Sequence, residues 1–122
     1  KREFASQTEI FGPFAKAFLR EMDKTAPNIA ANLLFDEAYE IVENYNSSSA
    51  LSAALVFADL SDTKLASFRA KMLKAYIAYL QEEFVKADTF LGEARKFVKS
   101  SEQLRSLEKL QKIVDADQEK LK

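Results

Sequence analysis

The sequence predicts an all-α protein. Three observations carry that prediction. Histidine, cysteine and tryptophan are absent from the 122 residues, glycine and proline occur only twice each, and the apolar residues recur at three- and four-residue spacing. A strand-rich fold needs turn residues at every reversal, and this chain has almost none. Its apolar periodicity is that of amphipathic helices. Hydrophobic residues make up 48% of the chain and charged residues 30%, which are globular values. The expectation is one domain of five or six helices. It takes the form of an irregular bundle or a short stack of αα-hairpins. Residues 1–12 read as an N-terminal arm and residues 13–122 as the helical body.

Pro13 follows Gly12 and suits the first turn of a helix, where its missing N–H is unneeded. Phe14, Ala15, Phe18, Leu19 and Met22 then share one face. Ala26-Pro27 ends that segment, because the residue before a proline is pushed out of helical geometry. A second helix is predicted from about Asn28 to Tyr45, with Asn28 as its cap. Its stripe is Ala30, Leu34, Ala38, Ile41 and Tyr45, and Asn32, Asp36, Glu40 and Glu43 lie opposite.

Asn46-Ser47-Ser48-Ser49 is the clearest break. Ser49 is the expected cap of a short third helix, Ala50 to Leu60. Nine of its eleven residues are apolar, so it is expected to be covered on nearly every side. Ser61 and Asp62 are the next expected turn and cap. Beyond them, Leu65, Phe68, Met72, Ala75 and Tyr79 form one stripe. Ala66, Ala70, Leu73, Ile77 and Leu80 form another. Ser67, Lys71 and Lys74 are left as a narrow polar edge. The apolar pattern shifts phase at Gln81-Glu82-Glu83, and Phe84, Ala87, Leu91, Ala94 and Val98 make a new stripe. This predicts a hairpin into a fifth helix. Ser100 and Gln103 have capping-box spacing and open the last helix. It is carried by Leu104, Leu107, Leu110, Val114 and Leu121. The charged end, Asp117 to Lys122, is expected to fray.

The segment Ala75-Tyr76 through Phe84, Ala87, Leu91 and Ala94 resembles a helix pair of a tetratricopeptide-type solenoid, with small residues at Ala87 and Ala94 flanking Leu91. The match covers about a quarter of the chain, and no second copy follows at the ~34-residue period of that family. The resemblance implies a helical hairpin rather than membership.

Composition also bounds function. Eighteen basic against nineteen acidic residues leave a net charge of −1. That gives no basic stripe for phosphates and little attraction to an anionic membrane, so no nucleic-acid partner is expected. The longest apolar run, Ala50–Ala58, is interrupted by Ser52 and is about half the ~20 residues of a membrane span, so no transmembrane segment is read. The chain opens on Lys1-Arg2 without an initiator methionine, which is compatible with a removed leader. Lacking histidine and cysteine, it offers no ordinary zinc site, no Glu-x-x-His di-iron pair and no histidine-activated nucleophile. Neither glycine belongs to a phosphate-binding loop. No cofactor, metal site or catalytic residue is assigned.

Glu37, Glu40 and Glu43 recur every third residue. They are the best remaining carboxylates for a Mg²⁺-dependent reaction, but read primarily as a solvated face. Glu82, Glu83 and Asp88 have the same standing. Asn46-Ser47-Ser48 matches the glycosylation acceptor pattern, which matters only in a secreted chain. Ten phenylalanines are many for this length and read mainly as core. Phe4, Ile10 and Phe11 differ, because they sit on the arm before any helical face, and they are the candidate partner-binding residues. The expected function is a non-enzymatic protein-interaction or adaptor module, binding another protein or a second copy of itself. A carrier of a hydrophobic small molecule or lipid is the alternative. A carboxylate- and metal-dependent enzyme is third.

Overall fold

The computed structural model of the chain describes residues 27–120, and all its regular structure is α-helix. The candidate residues Phe4, Ile10 and Phe11, the helix expected from Pro13 and the terminal Leu121 lie outside the described residues. Five helices follow in order: α1 Pro27–Asn44, α2 Ser48–Lys64, α3 Phe68–Leu80, α4 Phe84–Arg95 and α5 Ser101–Lys120. They fall into two compact units, one ending at Ala66 and the other beginning at Ser67.

The first unit contains the hairpin of α1 and α2. Pro27, not Asn28, opens α1, taking the first helical position where a proline costs no hydrogen bond. Of the expected stripe, Ala30, Leu34, Ala38 and Ile41 are buried and Ala31 joins them, whereas Tyr45 is half-buried and lies just past the helix, which ends at Asn44. From α2, Ala50, Leu51, Ala54 and Ala58 are buried, while Phe57 and Leu60 pack against Ala30 and Leu34. Small alanines let two helix backbones approach closely, and Leu34 and Ile41 supply the volume.

Three expectations for α2 are corrected. Ser47, not Ser49, is its cap, and the Ser47 hydroxyl accepts from the Ala50 N–H at 3.1 Å. The helix does not stop at Leu60 but continues to Lys64. Ser61 is buried, and its hydroxyl donates to the Ala31 carbonyl of α1 at 2.7 Å. A hydroxyl satisfied in this way no longer competes with the helix. Nor is α2 covered on nearly every side: Leu55 and Phe57 are half-buried, and Val56 is 52% exposed.

The second unit holds α3, α4 and α5. The cap of α3 is Ser67, which accepts from the Ala70 N–H at 3.1 Å; Ser61 and Asp62, the expected caps, lie inside α2. The predicted hairpin at 81–83 is present. Ala75 and Ala78 of α3 pack with Phe84, Ala87, Leu91 and Ala94 of α4 and with Leu107, Leu110 and Val114 of α5. Phe68, Met72, Tyr79, Phe90 and Val98 close over this core. Ser100 accepts from the Gln103 N–H at 3.1 Å, while the Gln103 carbonyl oxygen reaches back to the Lys99 N–H at 2.7 Å. The box therefore closes one residue earlier than its spacing implies.

Lys71 and Lys74 are not a polar edge. They are only 9% and 6% exposed. The Lys71 ammonium lies 4.9 Å from the Phe97 ring centroid and 3.9 Å from a Glu93 carboxylate oxygen, and the Lys74 ammonium lies 4.7 Å from the Phe90 centroid. Each stem runs along apolar surface while its charge faces an aromatic ring, a contact worth about 0.5–2 kcal/mol. The described phenylalanines are accordingly less a core than its rim. Phe84 is buried, whereas Phe35, Phe57, Phe68, Phe90 and Phe97 are half-buried.

Candidate functional site

An open cleft lies at one end of the second unit. Because α3, α4 and α5 run alternately up and down, the C-terminus of α3, the N-terminus of α4 and the last described turn of α5 meet there. The α3–α4 reversal has the hydrogen bonding of a Schellman motif. The Glu83 N–H donates to the Ala78 carbonyl and the Glu82 N–H to the Tyr79 carbonyl, both at 2.9 Å. Such a motif needs a left-handed residue, normally glycine. Here that residue is Glu82, at φ 62°.

The last turn of α3 presents Tyr76, Tyr79 and Leu80. The Tyr79 ring lies 6.5 Å from that of Tyr76, roughly parallel, and 6.1 Å from that of Phe84, tilted by 54°. From α5, Asp117 accepts the Tyr79 hydroxyl at 2.6 Å. Lys120 stands one turn on, with its ammonium 3.7 Å from the other Asp117 oxygen and its side chain 78% exposed. Tyr79, Leu80, Glu82, Phe84, Asp117 and Lys120 line an open cleft of about 420 Å³, within the ~300–1,000 Å³ span of small-ligand sites.

The Tyr79–Asp117 bond fixes the end of α5 and corrects the expectation that residues 117–120 fray: α5 stays helical to Lys120. The bond to Asp117 chiefly, then burial, then the Asp117 charge and Tyr76, raise the Tyr79 phenol above its ordinary value. What this end offers is a fixed phenol, carboxylates, apolar ring faces and one exposed ammonium. Those groups recognise charge and shape.

The other acidic residues are less organised. On α1, Glu40 and Glu43 are exposed and Glu37 is half-buried. Burial first, and the Glu40 charge second, push the Glu37 carboxyl up. Asp88 accepts from the Gln111 amide at 2.8 Å, and the same amide donates to Asp115 at 2.9 Å, tying α4 to α5. Among the described residues no group of three or more aspartates or glutamates is placed to hold a metal ion, and no helix is long and apolar enough to cross a membrane.

Sequence reasoning put the candidate site on Phe4, Ile10 and Phe11 and passed over Tyr79, Asp117 and Lys120. Tyr79 and Asp117 lie 38 residues apart, so no local spacing links them. The one available signal was Glu82-Glu83 at the phase shift, with no glycine to make the turn.

Comparison with protein-family models, with curated proteins and with solved structures finds no match. The class is set by fold alone: an all-α protein of helical hairpins.

Proposed function

We propose that the chain is a protein-interaction module and that the end of the second unit, around the Tyr79–Asp117 cleft, is its docking face. The observation that carries this reading is the apolar surface beside the cleft. Tyr76 and Leu80, one helical turn apart on α3, are 41% and 37% exposed, and Val85 at the start of α4 is 72% exposed. Fully burying a large apolar side chain contributes about 1.5–3 kcal/mol, so a partner covering these three would gain several kcal/mol. A rigid aromatic and polar surface set beside exposed apolar groups is the composition of an interface centre.

The test is capture of partners from the source organism by the intact chain, by Tyr76→Glu/Leu80→Glu and by Val56→Glu. All three positions are exposed, so each variant should keep its helical circular dichroism. A partner retained by the wild type and by Val56→Glu but lost by Tyr76→Glu/Leu80→Glu is expected. Identical capture by all three proteins would refute the docking face.

A further inference from the structure

We infer that the cleft between Tyr79, Glu82 and Asp117 receives an arginine side chain of the partner. This rests on the docking face proposed above and names the chemistry of its occupant.

The first argument is charge. The C-terminus of α3 ends at the cleft and carries about half a negative charge. The opposing N-terminus of α4 has Glu83 at its cap position. The Glu82 and Asp117 carboxylates add to the negative side. Among the described residues, no ion pair or side-chain hydrogen bond engages the Glu82 carboxylate. Asp117 has committed one oxygen to Tyr79 and still has lone pairs to offer.

The second argument is that a cation already stands there. The Lys120 ammonium faces Asp117 across 3.7 Å on a mostly exposed side chain three residues along the same helix. Exposed pairs of this kind are weak, so a better-fitting cation displaces it readily.

The third argument selects arginine over lysine. The cleft is walled by two aromatic rings tilted by 54° to each other. A planar guanidinium stacks on such a ring while forking toward carboxylates, and it sheds its water more easily than an ammonium. The cleft volume of about 420 Å³ accommodates a side chain of that length.

The probe is N-acetyl-L-arginine methylamide, titrated into the intact chain and followed by amide chemical shifts. Its neutral isostere, N-acetyl-L-citrulline methylamide, is the control. Saturable shifts are expected at residues 79–84 and 117–120, with a Kd on the order of 1–10 mM, the value for a fragment of this size. Citrulline should bind at least about tenfold more weakly. Glu82→Gln touches no contact within the fold and should weaken arginine binding about fivefold. Lys120→Ala should tighten it about two- to threefold by removing the internal competitor. No saturable shifts, equal binding of citrulline, or unchanged affinity in Glu82→Gln would each overturn the assignment. The two proposals fail separately: the docking face fails through Tyr76 and Leu80 in capture, and the arginine assignment through Glu82 and a soluble probe.

Discussion

Replacing Tyr79 by phenylalanine deletes one oxygen atom and leaves the ring. That oxygen donates to Asp117 at 2.6 Å, in the short range of a hydroxyl bound to a carboxylate. Hydrogen bonds to charged groups contribute about 1.5–3 kcal/mol and ordinary ones about 1, and because the cleft is open to water the value falls between the two, at about 1–2 kcal/mol. For a chain of this length that lowers Tm by about 4–8 °C. A double-mutant cycle with Asp117→Ala should return a coupling of about 1 kcal/mol. The pH dependence has a definite sign. The folded protein holds the Tyr79 proton more tightly than the unfolded chain, whose phenol titrates near 10.0. Above that pH the native state therefore binds more protons than the unfolded one, and stability falls as pH rises. The bond's contribution is complete below pH 10 and is lost through the alkaline range. Tyr79→Phe should remove that part of the alkaline slope. Thermal melting of the four cycle members from pH 7 to 11 checks both points. An unchanged Tm in Tyr79→Phe with no coupling would mean that the cleft is not held in place by this bond.

Two further outcomes are expected. Glu82→Gly removes a side chain from a left-handed position, where glycine pays no steric penalty, and should raise stability by about 0.5–1 kcal/mol; a lower melting temperature would show that the carboxylate itself stabilises the turn. Ala54→Asp buries an unpaired charge between α1 and α2 and should cost several kcal/mol, unfolding that hairpin, while Val56→Asp two residues on should cost less than about 1 kcal/mol. Equal losses in circular dichroism and melting would mean that the buried face of α2 is wrongly assigned.

Much of the architecture was legible because it depends on period and phase. Ala30, Leu34, Ala38 and Ile41 of α1, Phe84, Ala87, Leu91 and Ala94 of α4, and Leu107, Leu110 and Val114 of α5 are buried where their spacing put them, while Tyr45, Val98 and Leu104 of the same stripes are half-buried. The phase shift at Gln81-Glu82-Glu83 marked the α3–α4 hairpin without a glycine. Helix ends were less legible, because serine can cap a helix, continue one or bridge to another. Ser47, Ser67 and Ser100 cap, whereas Ser61 reaches across to Ala31. Only the neighbouring helix decides which role a given serine takes. Lys71 and Lys74 misled for a related reason: a long stem is buried as easily as it is solvated once Phe90 and Phe97 stand over the charge. The cleft was illegible because its parts come from the ends of three helices. Asp117 looks like part of a charged tail until Tyr79 is placed beside it.

The central claim is that the end of α3, α4 and α5 is where a partner binds. A photo-crosslinking residue placed at Leu80, in the intact chain expressed in its source organism, tests it most directly, with the same residue at Val56 as the comparison. Both positions are exposed, at 37% and 52%. Crosslinking from position 80 to a discrete partner, at a segment of that partner containing an arginine, is the predicted result. Equal crosslinking from both positions, or a partner joined through position 56 alone, would contradict it.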